Sequence, residues 1–482
     1  MTPRKNAPDL WGHPRQLWML LGVTVGLNFA FYGFRAFLAP YIAQTFFAGL
    51  AAGESMRHAD RLVSGIGALL YATPIIGGYV ADNILGEVRA LLAALWLGAL
   101  ATALMVWPGL LCFELAMALY VLSAGLSIPL TVLIGRNYPG DDPRRDAGYT
   151  LFYLAINFGA FVAPFICAAW IGHRYGYRYG FLAASAGMAL AALLLQRRGS
   201  RLHAVVPSGP HLRRRGAMIK VLLVMLVALY PTALLLGHPH VLDVMMYALM
   251  GLLVTYFVAS GVRRRDRVQA QRYAAMLLLF AANIAFWALS LQGVSSLNFF
   301  ARDYVSAPFD FTLFQSFNPL YILVLAPLLA LLWPWLDARR INPSTPRKFG
   351  IGLLLVALSY GVTAYGIHHW TGAGGRVGWW LLALCYLLQT VGELALSPIG
   401  YAMVTRLAAP EEASLAMGGW FFGVAIAYDL AGQIAALTTT SAIPGIAGYA
   451  HVYDTLFLMG LAAAAVYLLA APWIARLMHG AR

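Results

Sequence analysis

Long apolar runs, each about the length a helix needs to cross a lipid bilayer, recur along the whole chain and are separated by short polar turns. The first runs predict spans near residues 16–46, 59–81, 89–107, 110–136, 146–172 and 177–196. The later ones predict spans near 217–236, 241–262, 270–300, 314–336, 347–367, 376–407, 411–440 and 451–478, which makes fourteen. One polar stretch, "RRGSRLHAVVPSGPHLRRR", interrupts the series after the sixth run. The pattern therefore predicts a cytoplasmic tail (1–15), a six-helix bundle (16–196) and a cytoplasmic linker (197–216). Two extra helices (217–262) and a second six-helix bundle (263–482) follow. Two bundles rocking about a site at the membrane midplane is the design of many secondary transporters.

Charge fixes an expected orientation. Most of the 33 Lys and Arg residues fall in the turns that are cytoplasmic if the N terminus is inside, as the positive-inside rule requires. The densest groups are Arg197, Arg198, Arg201, Arg213–Arg215 and Lys220, then Arg263–Arg265, Arg267 and Arg272. Both termini are thus expected in the cytoplasm, with the chain integral to a plasma membrane, the inner membrane in a bacterium. The net charge of +14 then reflects topology and contact with anionic lipid, and no nucleic-acid partner is expected. With 61% hydrophobic residues and a mean hydropathy of +0.71, no soluble domain is left over. The N-terminal stretch lacks a small-residue cleavage site ahead of the first span, so no removable signal peptide is expected.

The few polar groups inside the runs are candidate functional residues. Arg35 lies within an apolar stretch, where a charge costs about 2.5–3.5 kcal/mol unless it meets a partner or a wet cavity. Thr24, Asn28, Tyr32 and Arg35 follow one another at helical spacing and predict a polar stripe on the first span. Glu393 and Asp429 are intramembrane acids, and Ser397 lies one turn from Glu393 on the same helix face. Cys112, Cys167 and Cys385 have neither metal-ligand nor CxxC spacing and read as packing residues. With no nucleophile and base pair and no phosphate-cradling loop on a plausible element, no enzyme, catalytic residue, metal or cofactor is expected.

Several motifs sharpen this. "YATPIIGGYVADNILGEVRA" (71–90) resembles the loop signature of the major facilitator superfamily, with Gly78, Asp82 and Gly86 in place. The stretches "GDDPRRDAGYTLFYLAINFGAF" (140–161), "FQSFNPLYILVLAPLLALLW" (314–333), "PSTPRKFGIGLLL" (343–355), "GELALSPIGYAMVTRLAAP" (392–410) and "MGGWFF" (417–422) are similar, in order, to signatures of the proton-dependent oligopeptide transporters of that superfamily. The resemblance implies an all-α integral membrane protein with the major facilitator fold, and two extra helices as in prokaryotic members. It implies a binding site that includes Tyr71 and Asn157, Trp287, Gln292, Asn318 and Trp420, with Glu393 receiving a peptide amino group. Tyr32, Arg35 and Ser397 complete the expected site.

The chain also departs from the family pattern. In the first span the two glutamates and the arginine of the family motif are replaced by Thr24, Leu27 and Asn28. The lysine of the fourth span is replaced by Ile128, and Ser290 and Leu291 stand where acids are common. Arg35 alone is left for an anion, so peptides with a masked carboxylate, or other peptide-like compounds, are the expected substrates. Transport by alternating access on a proton gradient is expected, with Glu393 and Asp429 as proton-coupling candidates and the protein acting as a monomer. Export of a peptidic natural product, or a transport-dead peptide sensor, are the alternatives.

Overall fold

The computed structural model describes residues 9–138, 142, 144–199, 202, 216–440, 443 and 445–480. The predicted linker lies almost wholly outside the described residues. Fourteen helices among those described are long and apolar enough to cross a membrane. They are α1 (Arg15–Arg35), α2 (Ala52–Leu85), α3 (Glu87–Leu104), α4 (Leu110–Arg136), α5 (Ala147–Tyr175), α6 (Tyr177–Arg198) and α7 (Ala217–Gly237). The rest are α8 (Pro239–Arg263), α9 (Arg267–Tyr304), α10 (Phe311–Ala338), α11 (Thr345–Trp370), α12 (Trp379–Val404), α13 (Leu415–Thr438) and α14 (Ile446–Leu477).

Several of these helices are broken where the sequence dictates. In α2 the helix resets at Thr73, before Pro74, because proline supplies no N–H to the preceding turn, although Thr73 itself keeps helical geometry. In α9 the regular helix stops at Ser290, tightens over Leu291–Val294 and resumes at Ser296. Pro327 and Pro334 lie inside α10, where each removes a backbone hydrogen bond.

The chain forms two compact units. The first comprises Met1–Leu38 and Thr73–Gly237, the second Ala39–Ala72 and His238–Arg482. The break at Thr73 is therefore also a boundary, and the first half of α2 packs with the later helices, chiefly α13. The two extra helices are divided between the units: α7 packs on α4 in the first, and α8 on α9 and α13 in the second.

Within the first unit α1 lies against α5 and α6. Small residues set such approaches, since burial from lipid contributes little and close van der Waals packing must hold membrane helices together. Gly77 on α2 shows the limit: a Cβ there would fall 2.1 Å from the carbonyl oxygen of Gly125 on α4. The second unit has the larger core, in which Phe286, Phe300, Phe349, Tyr360, Trp420 and Tyr453 are all buried. Outward-facing apolar side chains, such as Val227, Leu331 and Leu469, remain exposed for lipid.

Candidate substrate and proton site

Glu393 is the centre of the best-formed polar face in the second unit. It sits midway along α12, half-buried, and Asn318 near the start of α10 donates its amide to Glu393 Oε2 at 2.8 Å and to Thr390 Oγ1 at 3.0 Å. The Thr390 hydroxyl donates in turn to its own helix, at the carbonyl of Tyr386, 2.7 Å away. Carboxylate, amide and hydroxyl thus fix one another across α10 and α12. One turn further along α12, the buried Ser397 hydroxyl has no hydrogen-bond partner among the described residues, and the same holds for Ser290 on α9. Buried hydroxyls in this state have bonding capacity to offer a guest. Trp287 on α9 is half-buried, edge-on to Phe286 at 5.6 Å.

Two other expected site residues are committed to the frame. Gln292 is fully buried and spans the break in α9, donating to the carbonyls of Ala288 (3.2 Å) and Ala431 (3.0 Å) while accepting from Ser296 (2.7 Å). Its amide thus ties the break in α9 to the backbone of α13. Trp420 is 1% exposed and roofs Gly400, whose Cβ would fall 2.3 Å from the indole, and Phe280 and Phe349 pack edge-on against it. Tyr71 lies against Tyr428 of α13 with ring centroids 5.5 Å apart.

In the first unit, Arg35 occupies the last turn of α1, with its guanidinium 5.5 Å from the Phe31 ring and 5.3 Å from that of Tyr32. Such cation–π contacts help to position the guanidinium. The rest of the expected stripe turns inward: the Thr24 hydroxyl donates to Leu20 O at 2.8 Å and the Asn28 amide to Thr24 O at 2.9 Å. Asn157 on α5 is almost fully buried and donates to Tyr153 O at 2.9 Å. In the loop motif, Gly86 takes a positive φ of 82° between α2 and α3, a conformation that favours glycine. Asp82 is exposed near Glu87, which pairs with Arg136. Gly78 has open space where its Cβ would be, and its neighbour Gly77 makes the close helix contact.

Asp429 faces α8. Tyr247 donates to its Oδ2 at 2.5 Å, Gln433 does so at 3.0 Å, and the Asp243 carboxyl is hydrogen-bonded to it as well. A cavity of about 20 Å³, room for a single water, is lined there by Arg61, Asp243, Asp429 and Gln433.

Three further acids escaped the sequence reading: Asp60, Asp243 and Glu412. Asp60 and Asp243 lie close to predicted span ends, where a charge is ordinarily solvated, and Asp60 has His58 and Arg61 beside it. Only the packing shows them covered. Glu412, in the turn between α12 and α13, accepts from Ser260 (2.7 Å), Tyr256 (3.0 Å) and Tyr273, and pairs with Arg264 at 3.3 Å. Burial alone would raise its carboxyl, but these donors together hold it below the usual carboxylate range.

Fourteen spanning helices, extra helices after the sixth and a polar face on facing helices define a transporter of the major facilitator fold. Comparison with known proteins narrows this. The POT family model, PTR2, matches residues 90–451, and the chain belongs to that family. It is 32% identical to the transporter YclF of Bacillus subtilis (strain 168), over 99% of this chain and 98% of that one. It is 31% identical to the peptide transporter YePEPT of Yersinia enterocolitica, over 90% of each. Among solved structures, a peptide transporter POT variant in complex with alafosfalin superposes with a TM-score of 0.84 at 30% identity, covering 98% of both chains. A POT family transporter in complex with 5-aminolevulinic acid gives 0.81 at 26%, over 97% of this chain and 98% of that one.

Proposed function

We propose that the protein moves peptides or peptide-like compounds across a bacterial inner membrane by alternating access, driven by the proton gradient, with both termini in the cytoplasm. The observation that carries the reading is Glu393, held by Asn318 and followed one turn later by the Ser397 hydroxyl, which has no hydrogen-bond partner among the described residues. A carboxylate fixed in this way is suited to a substrate ammonium, and the neighbouring hydroxyl to its first amide. Trp287 forms an apolar wall. Arg35 remains in the first unit, while the several other basic groups of the family pattern are replaced. Substrates whose carboxylate is masked or replaced are therefore favoured over plain dipeptides. Alafosfalin and 5-aminolevulinic acid, which relatives bind, both carry a free amine.

Proteoliposomes under an imposed pH gradient test the reading. Uptake of alafosfalin and of amidated dialanine above that of free dialanine is expected, with Glu393→Gln reducing uptake at least about tenfold, the loss of one charge-assisted contact. Saturable binding without flux of any probe would make the protein a sensor. Flux only in the outward direction would make it an exporter.

A further inference from the structure

Asp60 lies in the half of α2 that packs with the second unit. It is 0% exposed, and neither carboxyl oxygen has a hydrogen-bond partner among the described residues. The neighbouring helices meet it without offering a counter-charge. On α13 the contact is made by Gly432, where a Cβ would fall 2.3 Å from Ser64 Oγ and 3.5 Å from the Asp60 carbonyl oxygen. The nearest ionisable group on α13, Asp429, is turned to α8, where it meets Tyr247, Gln433 and Asp243. Arg61, the next residue on α2, lines that same cavity. From α14 the group facing Asp60 is the buried Tyr449, which also feels Asp303, Tyr304 and Arg302 at the end of α9. Arg302 is engaged with Asp303 at 2.7 Å.

An ionised carboxylate with no partner in a dry interior costs several kcal/mol, whereas the neutral acid costs only an unmade hydrogen bond. We propose that Asp60 is a proton-binding site of the transport cycle, holding its proton while α2 lies packed on α13 and releasing it when they part. The O–H bond breaks as water reaches the group, the proton passes to that water and the carboxylate remains. The charged form cannot be buried again without a counter-charge, so the helices close only after a proton rebinds. Two states that differ by one bound proton have an equilibrium that shifts about tenfold per pH unit over the range where that proton is lost. The separation of helices rests on the alternating-access reading above; the proton on Asp60 does not.

The test uses the purified full-length protein and needs no substrate for its first two arms. Infrared difference spectra of wild type against Asp60→Asn read a protonated carboxyl directly: a carboxylic C=O band lost in the variant is expected, and its absence from wild type overturns the proposal. Asp60→Glu keeps the acid and should shift that band, which covers the case in which the asparagine variant does not fold. Hydrogen exchange of residues 52–72, corrected for intrinsic rates, should then rise about tenfold per pH unit across the range in which the proton is lost in wild type and stay flat in Asp60→Asn. Identical profiles overturn the proposal. A third arm follows alafosfalin in proteoliposomes: Asp60→Asn should lose accumulation on a pH gradient and keep exchange across the membrane. If wild type moves no probe, the peptide reading fails while the first two arms still decide the fate of Asp60.

Discussion

Tyr247 on α8 donates a 2.5 Å hydrogen bond to Asp429 on α13, and Glu412, beyond the opposite end of α13, accepts from Tyr256 and Ser260 further along the same helix. The second extra helix is thus fastened by carboxylates near both ends. Leu242, Met246 and Phe257 pack inward, while Val244, Leu252 and Val262 are exposed. Polar contacts thus add to an apolar seam along one face of α8.

Tyr247→Phe removes one of these fastenings and leaves Asp429 with less than its full set of donors. Hydrogen bonds to charged groups contribute about 1.5–3 kcal/mol, so a lower unfolding temperature is expected. Thermal unfolding in detergent measures it. Asp429→Asn should fall in the same direction, with proton-driven accumulation surviving if Asp429 serves only to hold α8.

Glu412 makes the acid limb of stability predictable. Because its carboxyl is held below the usual value of 4.5 in the folded protein, it contributes stability that is fully present above that value. The contribution disappears as pH falls through the lower folded value. Wild type should therefore lose unfolding temperature more steeply than Glu412→Gln on acidification below about pH 4.5. Equal slopes for the two proteins would remove Glu412 from the account.

Gln292 and Glu393 should separate cleanly in kinetics and stability. Gln292→Ala removes the buried side-chain hydrogen bonds that tie the break in α9 to its own helix at Ala288 and to α13 at Ala431, at about 0.5–1.5 kcal/mol each. It should lower the unfolding temperature while leaving KM near that of wild type. Glu393→Gln should do the reverse, raising KM with little effect on unfolding. Uptake kinetics and melting curves on the same preparations check both.

Gly77→Val tests the closest helix approach of the first unit. The obstacle at 2.1 Å is backbone, which cannot turn aside as a side chain could. A loss of well-folded protein is expected, since overpacking typically costs about 1–3 kcal/mol and here the whole α2 and α4 contact must widen. Size-exclusion profiles of freshly extracted protein measure it. Gly78→Ala, one residue away with open space, should behave as wild type.

The fourteen spans were legible because the bilayer imposes a length and an apolar composition on every crossing segment, and both are written in the order of residues. Glu393 could be singled out for a related reason: an acid in mid-span is costly, and the structure finds its carboxylate held by Asn318. Gln292 and Trp420 were misleading at this level. A polar or aromatic residue on a helix near a binding site has the same spacing whether it faces a guest or fills a gap, and only the Ala431 carbonyl and Gly400 show the second role. Asp60 was invisible for the opposite reason. Position near a span end suggests solvation, but its burial comes chiefly from α13, which lies hundreds of residues away in the chain.

Asn318, the residue that holds Glu393, stands near the start of a helix of which only 11% of the apolar window is buried, and which contains Pro327 and Pro334. α10 is therefore held by few neighbouring side chains, chiefly those of α12, and two of its backbone hydrogen bonds are missing. A bilayer thicker or thinner than this helix will tilt or bend it at small cost. The distance between the Asn318 amide and the Glu393 carboxylate will follow that tilt, which makes substrate affinity a property of the surrounding lipid as well as of the protein.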